Sequence, residues 1–485
     1  SKSGKNDLSG NYEKSLDILS KGAVTIGWID AGSSGDSATI NTLGAVTITG
    51  KSAAEVSEFD SNDSNGLEII TAGNITLTNV SANYNSGVGF VLNNPTKPGA
   101  VKITNATADN NAEDGFWIVT QGAVTMTNVQ ANSNYKGGAN IDNRSIKLQG
   151  VTITGGTFNN NQYTGLQILS SGTVNATKIT AHDNDYANVY TNDARAVLEY
   201  GDYFADYLNS TNYWRFMNDN SQSTKLTIIG DAYFSIYMTD PSGTQVVNES
   251  AVENPVSGKY EFSFSSTLTQ VGYYRFQISG GFDQYEIALE NPTHLVNFGN
   301  EASYPEQVYG VQVDNSTGSG AVTVSGVPGQ ANGFSQNMLD GIYIYTKGVV
   351  KVQDGAGYRN GRHFVQVINT AGVGKGVTLA NLSTYQNRST GIYIESTGTV
   401  AVNGSSSYQN DGSNLEIYTQ GAVSVIGTKG VSTFGSTDVG HGVNISTKGN
   451  VTLANFSASD NEGGWGVHVD NHTGTGSVTV SDVVA

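Results

Sequence analysis

Short apolar runs with side chains at alternate positions recur along most of the chain, and a glycine opens nearly every one. Residues 111–132 show the unit: Phe116-Trp117-Ile118 follows Gly115, and Val124-Thr125-Met126 follows Gly122 after one residue. Alternation of this kind is the mark of a half-buried strand. The pattern Gly-x-Val/Ile-x-apolar returns at Gly22, Gly44, Gly73, Gly99, Gly122, Gly150 and Gly172. It returns again at Gly320, Gly348, Gly376, Gly398, Gly421, Gly449 and Gly476. A second strand signal precedes most of these, as in Gly66-Leu-Glu-Ile69, Gly165-Leu-Gln-Ile168, Gly391-Ile-Tyr-Ile394 and Gly442-Val-Asn-Ile445. The spacing predicts coils of about 25 residues with two or three short strands each. Val46, Ile48, Leu67, Ile69, Val124, Ile168, Val423 and Ile445 are expected to point inward, and Thr25, Thr47 and Thr76 outward. No helical periodicity interrupts the pattern, which excludes leucine-rich and helical repeats.

An asparagine sits a few residues before many of the second strands, at Asn62, Asn85, Asn161, Asn337, Asn387, Asn410 and Asn461. At a corner these amides are expected to stack into a ladder, each bonding to the coils on either side. With its Gly-x-Val-x-Ile strands and Asn-x-x-x-Gly turns the chain resembles the right-handed parallel β-helix, the pectin-lyase-like architecture. The resemblance covers roughly 1–196 and 299–485 and specifies an architecture, not an activity.

Between these parts the text changes. Tyr213-Trp214-Arg215-Phe216, Tyr233-Phe-Ser-Ile-Tyr-Met238, Tyr273-Tyr-Arg-Phe276 and Tyr285-Glu-Ile287 are strand-like, with Asp240-Pro-Ser-Gly243 as a turn. This stretch resembles the bacterial pre-peptidase C-terminal domain and related jelly-roll modules, which are non-catalytic appendages of secreted proteins. The expected class is all-β: a right-handed parallel β-helix, 1–196 and 299–485, with one inserted antiparallel β-sandwich at 197–298.

Composition narrows the partners. The formal charge is −18 over 485 residues, which disfavours nucleic acid and anionic membrane surfaces. No apolar run reaches the roughly 18 residues of a membrane span, so no membrane insertion is expected. The chain has 60 glycines and no cysteine, so it holds no disulfide. These features fit an extracellular or cell-surface protein of prokaryotic type.

Candidate chemistry is sparse. Asp354, Arg359, Arg362 and His363, with Asp340 one coil earlier, form the best cluster for a polysaccharide lyase or hydrolase, where a carboxylate and a cation would grip a uronate. The same residues serve equally as surface groups pairing with acidic surroundings. Asp60, Asn62 and Asp63, and Asp183 with Asp185, place oxygen ligands at close spacing and are the calcium candidates; no other cofactor is expected. Solvated turns carry such residues more often than calcium does. Outward aromatics, Trp117, Tyr343, Tyr345, Tyr393 and Tyr418, suit a glycan ligand or cross-coil packing. Outward Thr-x-Thr rows suggest an ice-binding solenoid more remotely, because Lys102 and Asn175 interrupt them.

The chain ends carry ordinary coil patterns. Residues 11–26 align without a gap to 111–126, and 476–485 align to 122–131. The expectation is a non-enzymatic structural subunit that stacks head-to-tail on itself into a filament; the rival is a longer polypeptide whose caps lie elsewhere. The alternatives in function are a carbohydrate-binding adhesin and a polysaccharide-cleaving enzyme.

Overall fold

A computed structural model describes residues 5–94, 97–145, 148–184, 308–330, 333–437 and 440–484. Within 185–307 it describes the strands and short connections at 188–190, 195–199, 211–218, 222–230, 233–240, 244–255, 257–268, 272–280, 284–290 and 295–299. The chain divides into two compact units, Ser1–Asp185 with Gln307–Ala485, and Tyr186–Glu306.

The first unit is a parallel β-solenoid of about 15 turns. Its first face is a 14-stranded sheet built from strands such as Leu67–Thr71, Phe90–Asn94, Phe116–Thr120 and Ile342–Thr346. The second face stacks strands such as Val46–Thr49, Ile75–Ser81 and Val124–Gln130. Both sheets run in strict register, Val101 on Val124 on Val151 and Phe90 on Phe116 on Ala139. Period-two patterning therefore becomes columns. Val46, Ile48, Leu67, Ile69, Val124, Ile168, Val423 and Ile445 are all buried, as the pattern predicts. Phe90 and Phe116 stack at 5.1 Å between ring centres.

Three devices turn the corners. After the first face, coils with a tight turn use Ser or Thr followed by x-Gly. Thr71 Oγ1 donates to the Gly44 carbonyl and accepts from Gly73 N–H, and Thr120 does the same between Gly99 and Gly122. Coils with a longer loop use Asn instead: Asn94, Asn143 and Asn315 donate Nδ2 to the carbonyls of Gly73, Gly122 and Gly172. Glycine is required here because the preceding coil passes too close; a Cβ on Gly122 would lie 2.2 Å from the Gly99 carbonyl oxygen.

Between the second and third faces the strand bends at one residue in the left-handed region: Asn79, Asn105, Asn128, Gly155 and Lys178, with φ from 50° to 69°. Asparagine tolerates this region better than most residues. In the C-terminal half Asp354, Asn381 and Gly404 hold the same corner. There the third face becomes a separate sheet of Ala356–Tyr358, Ser383–Tyr385, Ser406–Tyr408 and Phe434–Gly435.

The third corner holds the buried amide ladder. Each amide oxygen accepts from the backbone N–H, and in most steps also from the Nδ2, of the asparagine one coil before. The run goes Asn62, Asn85, Asn111, Asn134, Asn161, Asn184, then Asn337, Asn360, Asn387 and Asn410. The ladder passes from Asn184 to Asn337 without a break, so the chain returns in register after 153 residues. Asn461 stands outside it and receives the Thr437 hydroxyl.

The second unit contains two antiparallel sheets of six and five strands. Thr211–Asn218 pairs with Gly272–Gly280, with Trp214 opposite Phe276 in the backbone register. One apolar cluster draws Leu226 and Phe262 from the five-stranded sheet and Phe234, Phe276 and Ile278 from the six-stranded one. Of the sequence landmarks, 241–243 lie outside the described residues.

Candidate functional site

The coil geometry decides which candidates can meet. Residues just before a first-face strand form one column, in which Asp340 and His363 are successive: Gly310 N–H donates to the Asp340 carbonyl and Gly341 N–H to that of His363. Three positions on, Gln312, Tyr343, Gln366, Tyr393 and Glu416 form an outward column beside it. Tyr343 and Tyr393 are thus two coils apart, as the repeat suggests.

Asp340 is fully buried and saturated with donors. Arg362 grips it with two prongs, Nε to Oδ1 at 2.9 Å and a terminal nitrogen to Oδ2 at 2.5 Å. His363 N–H adds a third bond at 2.9 Å. Arg362 also reaches Gln366 Oε1 at 2.6 Å. Burial works against the guanidinium's charge, but the Asp340 bonds outweigh it and hold Arg362 above its ordinary value. Its donors are therefore committed within the protein, and little is left to grip a uronate. His363 is buried, with Nδ1 2.9 Å from the Thr390 carbonyl, and burial lowers its pKa. Its ring stacks on Tyr393, and Tyr309 stacks on Tyr343 at 4.9 Å. Burial raises both Tyr309 and Tyr393; at Tyr393 a hydrogen bond to Glu395 adds to it.

Asp354 and Arg359 lie on other corners. Asp354 has φ 53° where the second face meets the third, and accepts Asn381 Nδ2 at 2.9 Å. Arg359 follows the third-face strand Ala356–Tyr358, donates to Gln386 and lies 5.8 Å over the Tyr358 ring. The strand separates Asp354 from Arg362 and His363, so the four residues do not converge. Along that face Tyr358, Tyr385 and Tyr408 stack at 5.0 and 5.4 Å, each covering the next ring's face. Rings covered in this way give cross-coil packing rather than a platform for sugars.

The calcium candidates are engaged singly. Asp60 accepts Asn83 N–H and the Ser81 hydroxyl, and burial raises its pKa. Asn62 is the first amide of the ladder and accepts Ser34 N–H. Asp63 is exposed, and Asp183 bonds His182 and Gln336. Asp185 lies outside the described residues. Among the described residues no three His, Cys, Asp or Glu side chains gather as a metal would need.

Asp114, in the same column as Asp340, has no such cation clamp. Burial pushes it up to about 6, against a Gly137 N–H bond at 2.8 Å and the nearby Lys136, which lower it. Because the folded pKa is raised above 3.8, the folded state binds the proton more tightly. Stability from this group is full below pH 3.8 and is lost as pH rises through about 6. Asn65 fills the equivalent place and accepts Val88 N–H in the same way. Asp114→Asn is therefore expected to stabilise the protein at pH 7.5 by roughly 2 kcal/mol, with little gain at pH 4. Urea titrations at both pH values check it; an equal effect at each would contradict it.

The sequence reading missed a groove of about 620 Å³ on the opposite side, where the second face meets the third. Five successive coils turn there at single residues, Asn79 to Lys178. The coils before and after them instead carry protruding segments, 50–56 and 326–330. Ala53 and Val56 line one end, and Val327 and Gln330 the other. The first segment is closed by the Lys51–Glu55 ion pair at 2.7 Å, with the Lys51 ammonium 4.8 Å from the Trp28 ring centre. The long intervals from Gly44 to Gly73 and from Gly320 to Gly348 hold these segments, but Gly122 to Gly150 and Gly348 to Gly376 are as long as the second of them, so the spacing does not single out the groove.

The outward threonines are also more regular than expected. Lys102 and Asn175 interrupt one column, but Thr49, Thr78, Thr104, Thr127, Thr154 and Thr177 run unbroken in the other.

No curated protein matches this chain. Within residues 98–272 the chain is similar to the family described as right handed beta helix region, a match that begins in the solenoid strands and reaches into the antiparallel unit.

Proposed function

We propose that this chain is an extracellular, prokaryotic structural solenoid, a non-enzymatic rod that extends by coil-on-coil stacking and carries an inserted β-sandwich of the pre-peptidase C-terminal kind. The observation that carries the reading is that everything repeating in the rod is bonded along its axis. Strand ladders, the amide ladder and the glycine-contacting corners all pass from coil to coil. Such a scaffold gains its stability from neighbouring coils.

The outermost described coils keep the same offer open. Val478 and Val480 are 47% and 57% exposed, although they stand in register on Val451 and Leu453, which are buried. A further coil would cover them, drawn either from a second copy, as this reading has it, or from the same polypeptide. A heterologous contact of this type propagates unless its rotation closes it. The polysaccharide-cleaving alternative is less supported, because Arg362 is committed to Asp340 and Asp354 stands on another corner.

Negative-stain micrographs of the purified chain are expected to show rods longer than one subunit, and Val478→Lys/Val480→Lys to shorten them to single subunits with unchanged circular dichroism. The intact mass of the native chain tells copies from a longer polypeptide. A monodisperse monomer at all concentrations would refute self-stacking.

A further inference from the structure

The groove between segments 50–56 and 326–330 has the chemistry of a ligand site. Its volume of about 620 Å³ falls in the range typical of ligand-binding clefts. Asn105, Asn128, Gln130, Asn159, Thr107 and Thr157 are among its lining residues, and each also takes part in a hydrogen bond within the protein that leaves further donor or acceptor capacity. Asn105 Nδ2 donates to Asn79 Oδ1, and Asn128 Nδ2 to Asn105 Oδ1, so the corner amides form a row along the axis. The row stops at Gly155, which has no side chain and leaves a notch before Lys178. Alkyl surface at Ala53, Val56 and Val327 walls the two ends.

We propose that this groove binds a neutral glycan, an uncharged chain of pyranose units lying along the solenoid axis, and does not cleave it. Amides and hydroxyls donate and accept, as sugar hydroxyls do, so each can pair without a fixed charge. Coils repeat at about 4.8 Å, close to the advance of one pyranose in an extended β-linked chain, so successive sugars meet equivalent groups. The flanking segments leave about five coils between them, room for about as many sugars. A polyuronate is disfavoured: Lys178 is the one cation among the lining residues, no arginine lines the groove, and the chain carries −18 overall. No Asp or Glu lines it either, and glycosidic cleavage ordinarily takes two. An extended peptide is less suited, since Val80, Ala106 and Val129 line the floor but are buried and present little apolar surface to alternate side chains.

The notch supplies a test that spares the fold. Gly155 has φ 69°, and Asn occupies the same corner at 79, 105 and 128, so Gly155→Asn suits the backbone; its Cβ would lie 2.9 Å from Asn128 Oδ1, so the exposed Asn128 amide turns aside as the new side chain fills the notch. Calorimetric titration would use cellohexaose, mannohexaose and chitin hexaose, with trigalacturonate as the acidic comparison. At least one neutral hexaose is expected to bind, more tightly than its own trimer, and Gly155→Asn to weaken it tenfold or more with unchanged melting temperature. Gln330→Ala, on the wall, is expected to weaken it several-fold. Binding of none of the neutral sugars, binding untouched by both substitutions, or preference for trigalacturonate would each overturn the proposal.

Discussion

Val124→Asp is expected to destabilise the protein by about 4 kcal/mol or more, because it sets an unpaired carboxylate in a column sealed on every side. Val124 stands between Val101 and Val151 in the second face, and all three are buried. A solenoid answers such damage locally, since each coil touches only its neighbours. The expected signature is a lower-temperature transition and new protease cleavage near residues 101–157, with distant coils retained. Thr125→Asp is the control: one position along, the side chain faces outward, and the change is expected to stay within about 0.5 kcal/mol. Equal effects of the two substitutions would refute the inward register of this strand.

Arg362→Ala is expected to cost about 2–4 kcal/mol, at the lower end of what breaking a buried pair costs because the guanidinium is partly exposed. The cost arises from Asp340, which stays fully buried and loses both prongs of its partner. Asp340→Asn in the same chain is therefore expected to restore much of the loss, a coupling that a double-mutant cycle reads directly. Wild-type protein is expected to leave polygalacturonate uncleaved. Cleavage by the wild type that vanishes in a folded Arg362→Ala variant would overturn the structural reading of this cluster.

The architecture was legible because its two signals are local. Gly-x-Val-x-Ile states the alternation of a strand and the close approach at its start within five residues, and of the asparagines singled out before first-face strands all but Asn461 lie in the ladder. The functional surface was not legible, because its contacts join residues a whole coil apart and the coils differ in length. Arg362 meets Asp340 across 22 residues, whereas Asp354, only eight positions away in sequence, points from a different corner. The groove is less visible still, with walls drawn from Val56 and Val327 and a floor defined by a missing side chain at Gly155. Lys178 in the left-handed region had no sequence signal, since only its column shows that a bend falls there.

The passage of the amide ladder from Asn184 to Asn337 bears on how such a chain is made. Closing that gap instead of an ordinary coil of about 25 residues adds only about 2 kcal/mol of loop entropy, since the cost grows with the logarithm of length. The thermodynamic penalty of hosting a domain at this corner is therefore small. The kinetic one is not. During synthesis the coils up to Asn184 can zip together while the rest of the polypeptide is still absent, and their last amide and strand edges then stay unpaired until residues 311–337 arrive. Assembly is thus divided into two acts with a pause between them. The pause is a natural window for a chaperone, or for the wrong strand, to occupy the waiting edge.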